Sequence, residues 1–194
     1  MVDKLPFLPD EHHFALAAVA ARSAQLDHHI EHTVDMLLRL SPNTSKYLLK
    51  NMGQDRIVGL LEALLRDAFP ADADAATAFI KSIQAARSAR NEVLHQIWGK
   101  AEEADKAIHV SVRPHRDHSQ KSKTAAEISA IAADLLTCTR NLIVWQDCAH
   151  ANQLESLRKT HGPQFLQLGS LVEPGTSPPE LIAEIDRQRT PSEE

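Results

Sequence analysis

Apolar residues recur at helical spacing over long stretches of this chain that contain neither glycine nor proline. From Asp10 to Leu40, the residues Phe14, Ala17, Ala21, Ile30, Val34, Leu37 and Leu40 follow one helical face, with a polar gap in the middle. Ser41-Pro42-Asn43 ends this first helix. A short segment from Thr44 to Lys50 leads to a break near Gly53. Ile57, Leu60, Leu61, Leu64, Leu65 and Ala68 then mark a second helix, closed by Pro70. A third is predicted from about Asp74 to Trp98, with Gly99 as its cap. There the period changes to two. Ile108, Val110 and Val112 alternate with His109, Ser111 and Arg113, the pattern of a short strand whose pairing partner the pattern does not reveal.

The stretch from Arg113 to Lys123 has no apolar side chain except its proline, and it reads as a solvated loop. Thr124-Ala125-Ala126-Glu127 is a capping box. It opens a long fourth helix with a seam of Ile128, Ile131, Leu135, Cys138, Leu142 and Trp145, ending near Gly162-Pro163. Ser177-Pro178-Pro179-Glu180 starts a further amphipathic helix carrying Leu181, Ile182 and Ile185. The expected organisation is one helical domain over residues 1–162 and a tail over 163–194, with no internal repeat.

Composition narrows the fold class to all-α. Only 6 of 194 residues are glycine and only 4% are aromatic, against 43% apolar, which suits a helical bundle better than a turn-rich sheet protein. No glycine-rich phosphate loop or dinucleotide fingerprint occurs. A net charge of −5 and a pI near 6.1 argue against coating nucleic acid by bulk charge, so any such contact needs a local patch. Cys138 and Cys148 lie ten residues apart on one predicted helix, roughly 15 Å, which is beyond disulfide reach. They are expected to be buried thiols in a reducing compartment. The acids and histidines preceding the apolar run Phe14 to Ala21 do not suit a signal peptide, and no apolar stretch is expected to reach the ~20 residues of a membrane span. The expected location is the cytoplasm.

The third helix concentrates the candidate chemistry. Its apolar arc holds Ala76, Phe79, Ile83, Ala86, Val93 and Ile97, and Arg90 falls in the middle of that arc. A guanidinium there is costly unless it is paired or faces a cleft. Arg87, Asn91, His95 and Trp98 lie in the flanking sector. The simple structural expectation is an Arg90 paired with a carboxylate of a neighbouring helix. The string Arg90-Asn91-Glu92-Val93-Leu94-His95, followed by Trp98-Gly99, a polar insertion and a capped helix, also resembles the HEPN superfamily (higher eukaryote and prokaryote nucleotide binding). That superfamily consists of four-helix-bundle proteins whose signature is Arg, a polar residue, a few residues and His. The resemblance extends best from about Thr77 to His150.

This resemblance implies a HEPN-like four-helix bundle, which with the strand pattern gives an expected fold carrying a strand-bearing insertion between the third and fourth helices. It further implies a metal-independent ribonuclease, commonly a toxin or defence effector, in which Arg and His of two protomers share a cleft. Arg90, His95 and Asn91 would then be the catalytic set. No cofactor or metal would be needed, and the partners would be a second copy, RNA, and an antitoxin or other protein, with no membrane. The residue types suit this chemistry. Imidazole moves protons near neutral pH, and guanidinium stabilises charge on a pentacoordinate phosphorus. Arg87, Arg113, Arg116, Lys121 and Lys123 are the candidate RNA-binding residues, most of them in the basic insertion. The alternative is a non-catalytic dimeric helical interaction module.

Two other constellations compete. His28, His32 and Asp35 share one face of the first helix at metal-ligand spacing, although a solvated polar face accounts for them as well. Glu92-x-x-His95 and Asp147-x-x-His150, with Glu31 and Glu62, resemble the carboxylate sites of di-iron bundles, but their order along the chain is wrong for that class.

Overall fold

Six α-helices, one short 3₁₀ turn and three strands account for the regular structure of the described residues. They belong to a computed structural model that describes residues 8–100, 106–111, 120–161 and 172–189. The helices are α1 (Asp10–Leu38), α2 (Pro42–Lys50), α3 (Gln54–Ala68), α4 (Ala73–Leu94), α5 (Ala125–His161) and α6 (Pro178–Arg189). The strands are β1 (Gln96–Lys100), β2 (Lys106–Ser111) and β3 (Gln120–Thr124). The protein is mostly helical, as composition and periodicity predict. Its described residues fall into two compact units, and α1, α4 and α5 contribute to both.

The first unit takes the described parts of Met1–Asp27 and Ser82–Cys138. Its core holds Ala15, Val19 and Leu26 of α1, Ile83, Ala86 and Val93 of α4, and Ile128, Leu135 and Cys138 of α5. The three strands form one antiparallel sheet in the order β1-β2-β3, with Trp98 opposite His109 and His109 opposite Lys121. The missing partner of the predicted strand is thus found on both sides. It comes from two segments without alternating apolar residues, which is why the pattern did not reveal them. Three expectations from the sequence do not hold in the structure. The third predicted helix ends at Leu94, and Trp98-Gly99 belongs to β1 instead of a helix end. The Trp98 indole N–H still terminates α4 by donating to the Val93 carbonyl at 2.8 Å, satisfying one of the orphan acceptors of the last turn. The loop expected from Arg113 to Lys123 is corrected at its end, where β3 starts at Gln120; residues 112–119 lie outside the described residues. Phe14, Ala17 and Ala21 are exposed. The buried stripe of α1 runs instead through His12, Ala15, Val19, Ser23 and Leu26, and Ser23 fills the polar gap.

The second unit takes the described parts of His28–Lys81 and Thr139–Glu194. Ile30 and Val34 of α1, Ile57, Leu61 and Leu65 of α3, Ile80 of α4, and Leu142 and Trp145 of α5 are buried in its core. Trp145 is held edge-on by Phe69 and face-on by Phe79, with ring centroids 5.2 and 6.1 Å away. Ser177 donates to Asp72 at 3.1 Å, and the Gly175 N–H donates to the Asn152 side-chain oxygen at 2.7 Å, which ties the segment before α6 to the rest of this unit. The turn at Gly175 needs φ +83°, a conformation that favours glycine.

Over Ala125–Leu157, α5 is long and apolar enough, by length and composition, to cross a membrane, contrary to the expectation that no stretch reaches that limit. Its apolar seam is occupied by packing, since Ile128, Leu135, Leu142 and Trp145 are buried within the fold.

Candidate functional site

Arg87, Arg90 and Asn91 lie in the last two turns of α4, and His95 follows its final residue. The His95 N–H donates to the Asn91 carbonyl at 3.3 Å, so helical geometry continues to the histidine even though regular helix ends at Leu94. On that geometry Arg90 and His95 project about 140° apart and about 7.5 Å apart along the axis. His95 and Asn91 are exposed, while Arg90 is 15% and Arg87 10% exposed at the side chain. The sequence places Arg90 on the buried seam with Arg87 beside it. In the structure, Arg87 is the deeper of the two.

Asp27 of α1 faces both guanidiniums. Its Oδ1 lies 3.4 Å from Arg87 Nε, and its Oδ2 accepts from Arg90 Nη2 at 3.3 Å. A carboxylate partner for Arg90 on a neighbouring helix is what the structural expectation requires. The contact is nevertheless single and long. A guanidinium has five N–H donors. Arg90 uses one of them among the described residues, and its buried Nε has no hydrogen-bond partner there. Asp27 stands out in the sequence only as the first residue of a histidine-rich run, and nothing in its spacing indicates that it faces α4.

The strands supply the next neighbour. Lys123 of β3 reaches Glu92 of α4 at 3.9 Å, and its carbonyl accepts from His12 Nε2 at 3.1 Å, joining the start of α1 to the sheet. Of the other basic candidates, Lys121 sits in β3, and Arg113 and Arg116 lie outside the described residues.

The competing constellations are placed as well. Among the described residues, no group of three or more His, Cys, Asp or Glu side chains could hold a metal ion. Glu92 faces Lys123, Glu31 accepts from Gln54 at 3.1 Å, and Glu62 accepts from Thr77 at 3.0 Å. The di-iron arrangement therefore has each of these carboxylates committed elsewhere. His28 and His32 stack one turn apart with centroids 6.3 Å from each other. Between them, His29 has its pKa lowered, first by burial and then by the two neighbouring imidazoles. Cys138 and Cys148 are free and buried. Burial, with Asp147 and Asp72 adding to it, pushes the Cys148 thiol up to about 11, so neither its position nor its ionisation suits a nucleophile. Burial also raises Cys138.

Comparison with protein-family models, curated proteins and solved structures finds no match for this chain. The functional reading rests on the residues themselves.

Proposed function

We propose that the protein is a metal-independent endoribonuclease of HEPN type, with a HEPN-like four-helix bundle as its fold and a homodimer as its working form. The observation that supports this reading is Arg90. It is a mostly buried guanidinium that uses one of its five donors among the described residues, on the helix end where Asn91 and His95 are exposed. Asp27 fixes its orientation and leaves donors for a phosphate.

The nucleophile is the substrate's own 2′-hydroxyl. One imidazole takes its proton as the 2′-oxygen bonds to phosphorus, and the bond from phosphorus to the 5′-oxygen breaks. An imidazolium, the one just formed or the partner protomer's, donates a proton to that leaving oxygen. The products are a 2′,3′-cyclic phosphate and a 5′-hydroxyl. Arg90 stabilises the charge on the pentacoordinate phosphorus, and Asn91 orients the phosphate. Two imidazoles and two guanidiniums are available if the α4 ends of two protomers meet at a two-fold axis. The basic residues Arg113, Arg116, Lys121 and Lys123 would track the RNA backbone, giving an acidic chain local affinity. This reading places the protein in the cytoplasm as a toxin or defence component, with an antitoxin or other protein as a further partner.

The test is cleavage of labelled RNA in the presence of a chelator. Wild type should leave cyclic phosphate ends, and His95→Ala should lower the rate by about 10²- to 10⁴-fold without lowering the melting temperature. Activity undiminished in His95→Ala would sink the proposal. A second reading, the non-catalytic interaction module, draws on the pairing of Asp27 with both arginines. It requires a wild type inert on RNA and an Arg90→Ala variant that is strongly destabilised.

A further inference from the structure

In the second unit, α1 and α2 face one another across a groove of about 510 Å³ that the reaction proposed above does not use. One wall carries His28 and His32, with their rings 6.3 Å apart and within 13° of parallel, so that both imidazole edges are presented side by side. The other wall carries Lys46 and Lys50, also one turn apart. Ser45 of α2 also lines the groove; it is 1% exposed, and its hydroxyl has no hydrogen-bond partner among the described residues. A buried hydroxyl left in that state costs free energy unless a ligand or water satisfies it. Four nitrogen groups able to donate, plus that hydroxyl, match an oxyanion with several acceptor oxygens.

A bare anion is not the best match. Glu31 and Asp35 line the same groove and balance the two lysines in formal charge. Glu31 is partly engaged by Gln54, whereas no hydrogen bond or ion pair holds Asp35 among the described residues. An unengaged carboxylate beside an anion subsite favours a ligand that also brings hydroxyl donors. Metal coordination does not account for the cluster, because these side chains do not form a group of three able to hold an ion.

We infer that this groove binds a phosphomonoester carrying hydroxyl groups. The phosphate lies against Lys46, Lys50, His28, His32 and Ser45, and a ligand hydroxyl donates to Asp35. The phosphomonoester could come from a sugar phosphate or from a mononucleotide. Tyr47 is 75% exposed on α2 and outside the groove lining, where only a ligand with a base would extend to stack on it.

Isothermal titration calorimetry of the full chain with ribose 5-phosphate, inorganic phosphate, ribose and adenosine monophosphate tests this. Ribose 5-phosphate should bind saturably and about tenfold tighter than inorganic phosphate, and ribose should not bind. Ser45→Ala and Lys46→Gln should each weaken binding about tenfold or more. Asp35→Asn should abolish the preference over inorganic phosphate. Ser45→Ala removes a hydroxyl without a partner, so its melting temperature should not fall, which separates lost binding from lost folding. Adenosine monophosphate binding tighter than the sugar phosphate, with the excess lost in Tyr47→Ser, assigns a nucleotide, and equal affinity assigns a sugar phosphate. The inference is overturned if ribose 5-phosphate does not bind at millimolar concentration, if inorganic phosphate binds as tightly, or if Ser45→Ala and Lys46→Gln bind like wild type. Because Arg90 and His95 play no part here, RNA cleavage succeeds or fails independently.

Discussion

Arg87 and Arg90 stand one turn apart on α4 and share a carboxylate, yet their removal should not cost the same. Arg87 is the more buried, and Asp27 needs a cation beside it after either is lost. Arg87→Ala is expected to destabilise by about 1–3 kcal/mol, the cost of leaving the Asp27 oxygen that faces it without its charged neighbour. Arg90→Ala loses one 3.3 Å contact while Arg87 still faces Asp27, so about 1 kcal/mol is expected. Urea unfolding of both variants checks the order, and an Arg90→Ala loss exceeding that of Arg87→Ala would favour the interaction-module reading. His29 gives a pH prediction with a definite sign. Burial and the flanking imidazoles lower its pKa below 6.5, so the unfolded chain binds its proton more readily. The stability this group contributes is complete above pH 6.5 and is lost as the pH falls through 6.5 toward the lowered folded value. His29→Gln should therefore flatten that part of the stability profile, measured by urea unfolding between pH 5 and 8.

At the level of elements, the start of α5 is closed by reciprocal bonds. The Glu127 N–H donates to the Thr124 hydroxyl at 3.1 Å, and the Glu127 carboxylate accepts from the Thr124 N–H at 2.7 Å. Thr124→Ala should cost about 1 kcal/mol in unfolding free energy. A second element end should gain from substitution. Arg39, just past α1, holds φ 52°, in the left-handed region, where glycine avoids the Cβ clash. Arg39→Gly should raise stability by about 0.5–1 kcal/mol, less than the relieved strain because glycine also loosens the unfolded chain. These ends also show what the sequence discloses. Thr124-x-x-Glu127 and the seam of α5 are legible because local bonding and a period of 3.6 determine them. The exposure of Phe14 is not, because α1 buries His12 and Ser23 in its place and hydrophobicity alone ranks them the other way. The end of α4 is hidden for a related reason: Ile97 and Trp98 continue a helical period while serving in β1. The candidate site divides similarly. Arg90, Asn91 and His95 are visible as a string, whereas Asp27 is joined to them only by tertiary packing across 63 positions.

For the whole molecule, the proposed chemistry turns on how many copies assemble. Arg90 and His95, about 140° apart on one helix, present themselves poorly to a single phosphate, whereas two α4 ends around a two-fold axis offer a pair of each. Light scattering should accordingly give twice the 21.5 kDa chain mass at micromolar concentration. A mixing experiment goes further than mass alone. Arg90→Ala and His95→Ala homodimers should each be inactive, the first with no guanidinium from this position at the phosphate and the second with no proton carrier. Mixed and allowed to exchange subunits, they form heterodimers whose cleft retains one Arg90 and one His95, one from each chain. If the cleft is shared, cleavage absent from either preparation should return in the mixture at a fraction of wild-type activity. It should follow the rate of subunit exchange and be lost when the dimers are cross-linked before mixing. Two self-contained active sites on separate protomers would give no recovery, because each chain would still lack its own residue. A mixture that remains inactive although mass spectrometry shows exchanged heterodimers would therefore exclude the shared cleft.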